Sequence, residues 1–328
     1  MDGIQVMEQA KTASPKDIKI SVVTLVGSDE WIHNGFLTAM ANQNIADQLE
    51  LIVIAMGAEI GMLEGYADRL VIKGRRLGGG ENFLQAQMVG ARMAQGLVVA
   101  FIEDHCIADP HWAEAVFKAC RKGWSGVGYA FKNGSPDTYY FKSVFLAEYG
   151  FFAHPAKSRE MVFCPDTNIA YDRETLLGYL ADSAFNEKKG AAISWILKEM
   201  GFPIYLESRA LVHHRSIGNK SELFRGHFAI CRLLGHARVV EGNWGKPRRS
   251  LYALAVVLCV PTLQIWRLFR ALGLKHPLRR DAFLAIPFLL GLKQFAAIGE
   301  AWGYIRGAGD CEQKILDIEL NVPRIKRD

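Results

Sequence analysis

Cysteine is sparse and scattered: Cys106, Cys120, Cys164, Cys231, Cys259 and Cys311 form no C-x-x-C pair. That spacing argues against a disulfide framework or a structural zinc site and fits a reducing compartment. Charge is modest as well, with 22% Asp, Glu, Lys and Arg and a net +5 at pH 7, so the chain does not read as disordered. Zinc-finger spacing and RNA-binding signatures are absent, and nucleic acid is not an expected partner. No internal repeat or low-complexity tract interrupts the sequence. Met1 to Asp17 lacks the apolar core of a signal peptide and reads as a polar N-terminal tail, which keeps the following domain on the cytoplasmic side. The densest glycine run, Gly78-Gly79-Gly80, is not followed by Lys and Ser or Thr, so it reads as a turn rather than a phosphate-cradling loop.

Apolar residues are abundant, at 50% of 328, and most of the excess lies after residue 250. The earlier part has a βαβ rhythm. Ile18 to Val26 and Leu49 to Ala55 are short β-branched runs on either side of a helix-length polar stretch from Gly35 to Asp47. Arg69 to Lys73 predicts a third strand, Glu81 to Gln95 a helix, and Leu97 to Ile102 a wholly apolar strand of the kind buried inside a parallel sheet. The expected architecture is a doubly wound α/β domain.

The apolar strand stops abruptly at Glu103-Asp104-His105, and a helix is predicted from about Pro110 to Trp112. Ligands of α/β sheets bind at such carboxyl ends. Two adjacent acids there repel one another unless a cation offsets them, and a divalent ion bridging a diphosphate would do so. Capping of the next helix, or ion pairing in a loop, explains the same residues.

From Ile20 to His214 the order of elements resembles a family 2 glycosyltransferase of the GT-A fold, a doubly wound mixed sheet. The residues that carry the likeness are the SVV-type first strand, Gly90, Ala94 and Gly96 in a G-x-x-x-A-x-G approach, Glu103-Asp104-His105 in place of a D-x-D-like motif, the segment Cys164 to Leu176, and Ala210-Leu211-Val212-His213-His214. The resemblance implies a nucleotide-sugar donor and a Mg2+ or Mn2+ ion. It makes Asp104 the first metal ligand, with His105 and His214 beside it, and turns Glu103 toward the donor. Asn168 and Arg173 then fall near sugar or acceptor. The chain departs from the family at the turn after the second strand, Ala55-Met56-Gly57-Ala58-Glu59, where Glu59 is the acid available to the donor, and after the first strand, where Asp29 is. The acceptor-side acid pair is displaced, leaving Glu187 as the candidate general base with Asp166 and Asp182 behind it. A degenerate, non-catalytic module bound to a membrane is the other reading.

Tyr139 to Phe152 holds seven aromatics in fourteen residues, suited to an acceptor groove, to lipid contact or to a core under a loop. Arg215 to Arg238 predicts a basic amphipathic helix. Two apolar segments follow, Leu251 to Trp266 and Ala282 to Ile305. The first reaches only about 24 Å as a helix, against a bilayer core of about 30 Å, and contains Pro261; the second carries Lys293 and Glu300. Basic clusters flank the first segment on both sides, so in-plane or re-entrant membrane helices are expected, with a spanning hairpin or a soluble helical subdomain as alternatives. The expected organisation is a tail at 1–17, a catalytic domain at 18–215, membrane-associated helices at 216–308 and a polar tail at 309–328. The expected partners are a nucleotide-sugar, membrane lipids, and a lipid-linked or polysaccharide acceptor.

Overall fold

The computed structural model describes residues 6–9, 18–27, 35–56, 70–78, 81–180, 201 and 203–322. In chain order its elements are β1 Val6–Gln9, β2 Ile20–Val26, α1 Phe36–Ala41, β3 Leu49–Met56, β4 Val71–Leu77, α2 Phe83–Met93, β5 Val98–Phe101, β6 Cys106–Ala108, α3 Trp112–Cys120, β7 Gly126–Asn133, α4 Tyr139–Tyr149, β8 Arg159–Met161, β9 Ile169–Asp172, α5 Arg173–Leu180, β10 Ile204–His214, α6 Lys220–Glu241, α7 Lys246–Leu272, α8 Arg279–Leu284, α9 Ile286–Arg306 and α10 Cys311–Asn321. They divide into two units. The first runs to Lys132 and from His154 to His214; the second takes Asn133–Ala153 and Arg215 onward. The aromatic stretch around α4 falls in the second unit with the later helices.

In the first unit the strands lie in the order β1-β4-β3-β2-β5-β9-β7-β10-β6, with β8 on β10. Strands β4, β3, β2 and β5 are parallel and β9 runs antiparallel to β5, so the sheet is mixed, as expected. Every residue of β2 and β5 is buried, which is why β5 reads as an unbroken apolar run and β2 as one interrupted only by Ser21 and Thr24. Within the stretch expected to be a tail, Val6–Gln9 adds an antiparallel edge strand to β4. The polar stretch after Gly35 is α-helical only as far as Ala41, with a 3-10 turn at Ala46–Gln48 before β3.

Helix α2 starts at a capping box in which Asn82 and Gln85 bond each other's backbone. Its face is set close on the sheet by Gly90, where an added Cβ would stand 2.4 Å from a Val23 methyl. Gly96 passes the backbone of Ser21, and a Cβ there would stand 2.7 Å from its nitrogen. The spacing of these glycines therefore has a packing cause. Beside them, at the amino ends of the strands, the buried Glu50 carboxylate accepts from Ser21 Oγ at 2.5 Å and Gln95 N at 2.6 Å and pairs with Lys73 Nζ at 2.7 Å. This network ties β2, β3 and β4 at the end of the sheet opposite the acidic tip. Trp112 of α3, fully buried, meets Tyr129 of β7 edge to face at 5.2 Å.

In the second unit α6, α7 and α9 build a core from Val239, Trp244, Ala253, Val256, Ala297, Ala301 and Tyr304. Helix α6 lies backbone to backbone on α9: an added Cβ at Gly299 would meet Phe228 O at 2.4 Å, and one at Gly235 would meet Glu300 O at 2.3 Å. The stretch expected as a polar tail after residue 308 instead forms α10, with Cys311, Leu316 and Ile318 buried.

Candidate active site

Strand β5 delivers Glu103 two residues beyond its end, and the chain then turns through Asp104 and His105 into β6. Strand β6 pairs antiparallel with the end of β10, with Cys106 opposite His214. This pairing joins residues more than a hundred positions apart. His105 Nε2 and His214 Nε2 stand 3.1 Å apart, both rings buried, with centroids 4.9 Å apart at 76°. The Glu103 carboxylate lies 3.5 Å from His105 Nε2 and 3.7 Å from His214 Nε2, and Cys106 Sγ donates to it at 3.7 Å. One ligand atom from each of Glu103, His105, Cys106 and His214 fits within a 4.8 Å cluster.

The groups behind this cluster fix its orientation. Asp104 Oδ1 lies 3.1 Å from His105 Nδ1, so a proton on Nδ1 leaves the Nε2 lone pair facing His214. The buried Asn168 spans the pair of strands: its Nδ2 donates to Glu103 Oε2 at 2.5 Å, and its Oδ1 accepts from Glu103 N at 3.3 Å. Burial alone would raise the Glu103 pKa. The positive charge of the two imidazoles in their protonated form and the Asn168 bond outweigh that effect and hold it well below the ordinary carboxylate range, and a cation taking the place of those protons acts in the same sense. A buried anion facing two imidazole nitrogens is an arrangement that a divalent cation completes.

The expected site residues separate on this geometry. Glu103, His105, His214 and Asn168 converge. Asp104 sits one position behind, on the far nitrogen of His105, while Glu103 is the carboxylate that faces the histidine pair. Asp166 lies in the loop entering β9, where its carbonyl accepts from Gln87 at 2.9 Å and its carboxylate from Tyr171 at 3.4 Å. Arg173 is not brought to the cluster. Strand β9 is antiparallel to β5, with Ile169 beside Phe101 and Asp172 beside Val98, so Arg173 lies at the opposite end of β5, where its Nε donates to Ala94 O at 2.8 Å. It clamps the chain between α2 and β5. Asp29, Glu59, Asp182 and Glu187 lie outside the described residues. Cys106 was not anticipated as a member of the cluster: spacing among cysteines gave no signal, and its place follows only from the β6–β10 register.

No family model and no curated protein matches the sequence. Among solved structures, the chain is similar to the mannosyltransferase PcManGT from Pyrobaculum calidifontis, in complex with GDP-Man and Mn2+, at 17% identity and a TM-score of 0.54, covering 90% of this chain and 89% of that one. It also matches S. aureus TarS 1-349 in complex with UDP at 14% identity and a TM-score of 0.47, covering 90% and 92% of the two chains. The fold is GT-A, a mixed α/β sheet, followed here by C-terminal helices.

Proposed function

We propose that this protein is a metal-dependent, inverting glycosyltransferase that moves a sugar from a nucleotide-sugar to a membrane-linked acceptor, either a polyprenyl-linked saccharide or a glycolipid, or to a growing polysaccharide. The observation that carries the reading is the convergence of Glu103, His105 and His214 at the carboxyl end of β5 in a GT-A sheet. The cluster fits a cation. Two imidazole nitrogens 3.1 Å apart have about the spacing of neighbouring positions around an ion with bonds of about 2.1 Å. A set of one carboxylate and two imidazoles suits Mn2+ better than Mg2+, which prefers oxygen ligands and keeps its waters.

An ion held there supplies positive charge to the donor diphosphate and to the departing nucleoside diphosphate. The protein's own groups arrange the rest. Asp104 fixes the His105 tautomer and Asn168 fixes the Glu103 carboxylate, so the cluster is formed before the donor arrives. As the acceptor oxygen bonds to the anomeric carbon and the bond from that carbon to phosphate oxygen breaks, the acceptor proton passes to a carboxylate. Asp166 is the described candidate for that base, and Glu187 and Asp182 are the others. A single in-line displacement inverts the anomeric centre.

The test is nucleoside diphosphate release from a panel of nucleotide-sugars, with Mn2+, Mg2+ or EDTA, alongside Mn2+ binding by electron paramagnetic resonance. Release is expected to be strongest with Mn2+, absent with EDTA, and reduced on the order of 10²-fold or more in His214→Ala. Mn2+ bound with unchanged affinity by both His214→Ala and Glu103→Gln would overturn the site. Donor and Mn2+ binding without turnover would identify a non-catalytic module instead.

A further inference from the structure

Helix α9 departs from the ordinary arrangement of a surface helix by turning its mid-helix polar side chains inward, and both α7 and α9 expose apolar side chains along their length. On α9, Lys293 Nζ donates to Ala147 O at 2.9 Å, Gln294 donates to Val257 O at 3.2 Å, and the buried Glu300 is held by Arg238 and Tyr304. What remains outside from Pro287 to Ile305 is uncharged, and α7 likewise exposes no charge between Ser250 and Arg267. Leu251, Leu254, Leu258, Ile298, Trp302 and Ile305 are each between 41% and 66% exposed. Stripes of this size on neighbouring helices are not left to water in a soluble protein.

Both ends of the helix pair are basic. Trp244 packs on Tyr304, so the start of α7 lies beside the end of α9, and the two run antiparallel. Lys246, Arg248, Arg249 and Arg306 therefore mark one end, and Arg267, Arg270 and Lys275 the other. Several of these guanidinium groups lie on aromatic faces: Arg248 at 4.5 Å from the Trp244 centroid, Arg270 at 4.8 Å from that of Trp266, and Arg306 at 6.0 Å from that of Trp302. Aromatic rings paired with cations at the rim of an apolar stripe match the headgroup level of a bilayer.

We infer that the outer face of α7 and α9 lies in the plane of an anionic lipid bilayer, with its apolar stripes among the acyl chains and both basic rims on the same headgroup layer. Among the described residues, α7 alone is long and apolar enough to cross a membrane. Crossing is disfavoured on two counts. It would carry one basic rim through the hydrocarbon. It would also draw in α6, which lies along α9 through Gly235 and Gly299 and bears Arg225, Arg232 and Arg238. A second copy of the chain is a poorer occupant, because a symmetric pairing of these faces would set basic rims against one another. The proposal stands apart from the sugar-transfer reading.

Flotation of the full chain with vesicles tests it. Binding is expected to vesicles containing phosphatidylglycerol and to be much weaker with phosphatidylcholine alone, falling as salt is raised. Leu254→Glu with Ile298→Glu, on exposed positions, is expected to lower the partition coefficient at least about tenfold, and Arg248→Glu with Arg270→Glu to reduce binding only to the anionic vesicles. Circular dichroism checks that both variants are folded. Side is read from single cysteines placed at Ser250 and Lys275 and challenged with an impermeant thiol reagent on sealed vesicles; both are expected to react. Protection of one of them would show a crossing helix and overturn the in-plane reading. No flotation with either vesicle, or a dimer in solution that the double Glu variant dissociates, would overturn the lipid surface itself.

Discussion

At the scale of the residue, the informative pair is the two adjacent acids Glu103 and Asp104. Asp104 was expected to hold the metal, and the structure sets it against His105 Nδ1 while Glu103 faces the His105–His214 pair. The apolar strand ending in acid is plain in the sequence, because hydrophobicity stops at Ile102. Which of two adjacent acids turns inward is not, since residues 104 and 105 lie in a turn where neither strand nor helix periodicity applies. Cys106 and Asn168 needed long-range pairing to be placed. In the proposed site Asp104 would act on the metal through the His105 imidazole, a role separable from ligation. Asp104→Asn keeps the shape and removes the charge, and Mn2+ affinity by paramagnetic resonance is expected to fall about 10- to 100-fold. The rate at saturating Mn2+ should stay close to wild type. An unchanged affinity would remove Asp104 from the support of the site.

At the scale of the element, strands were easier to read than helix environments. Runs such as Val98–Phe101 are buried on both faces and announce themselves by composition. The apolar helices after residue 250 were equally visible, yet Lys293 and Glu300 looked like breaks in them. They are the inward-facing positions, satisfied by Ala147, Arg238 and Tyr304, and only tertiary contact reveals that. The α6–α9 contact gives a prediction with a sign opposite to propensity. Replacing a mid-helix glycine by alanine ordinarily favours the helix by about 1 kcal/mol. At Gly299 the new Cβ would stand 2.4 Å from the Phe228 carbonyl oxygen, which belongs to backbone and cannot swing aside. Gly299→Ala is therefore expected to destabilise the helical unit by about 1–3 kcal/mol in urea unfolding. Gly291→Ala, on the same helix with open space around it, is the control and should be neutral or stabilising. Equal effects at both positions would mean that the helices do not approach as closely as described.

At the scale of the whole molecule, the division of the chain separates two chemistries. The Glu103, His105 and His214 cluster belongs entirely to the first unit, and the exposed stripes of α7 and α9 belong entirely to the second. Near His214 the sequence itself changes character, from a sheet-like run to a basic amphipathic helix. The membership of α4 was not legible, because it precedes β8 in the chain and sequence order carries no sign that it packs with later helices. Two ligands should then protect two different sets of amides in hydrogen exchange. Mn2+ at about a hundred times its dissociation constant stabilises the state it binds by about 2.7 kcal/mol, and that protection is expected along β5, β6 and the end of β10. Anionic vesicles are expected to slow exchange in α7 and α9. His214→Ala should abolish the first pattern and leave the second, while Leu254→Glu with Ile298→Glu should do the reverse. Mn2+ protection that appears in the helices and not at the strand ends would put the ion elsewhere in the chain. Vesicle protection confined to the strands would place lipid contact on a different surface, and the two readings fail independently because each depends on residues the other does not use.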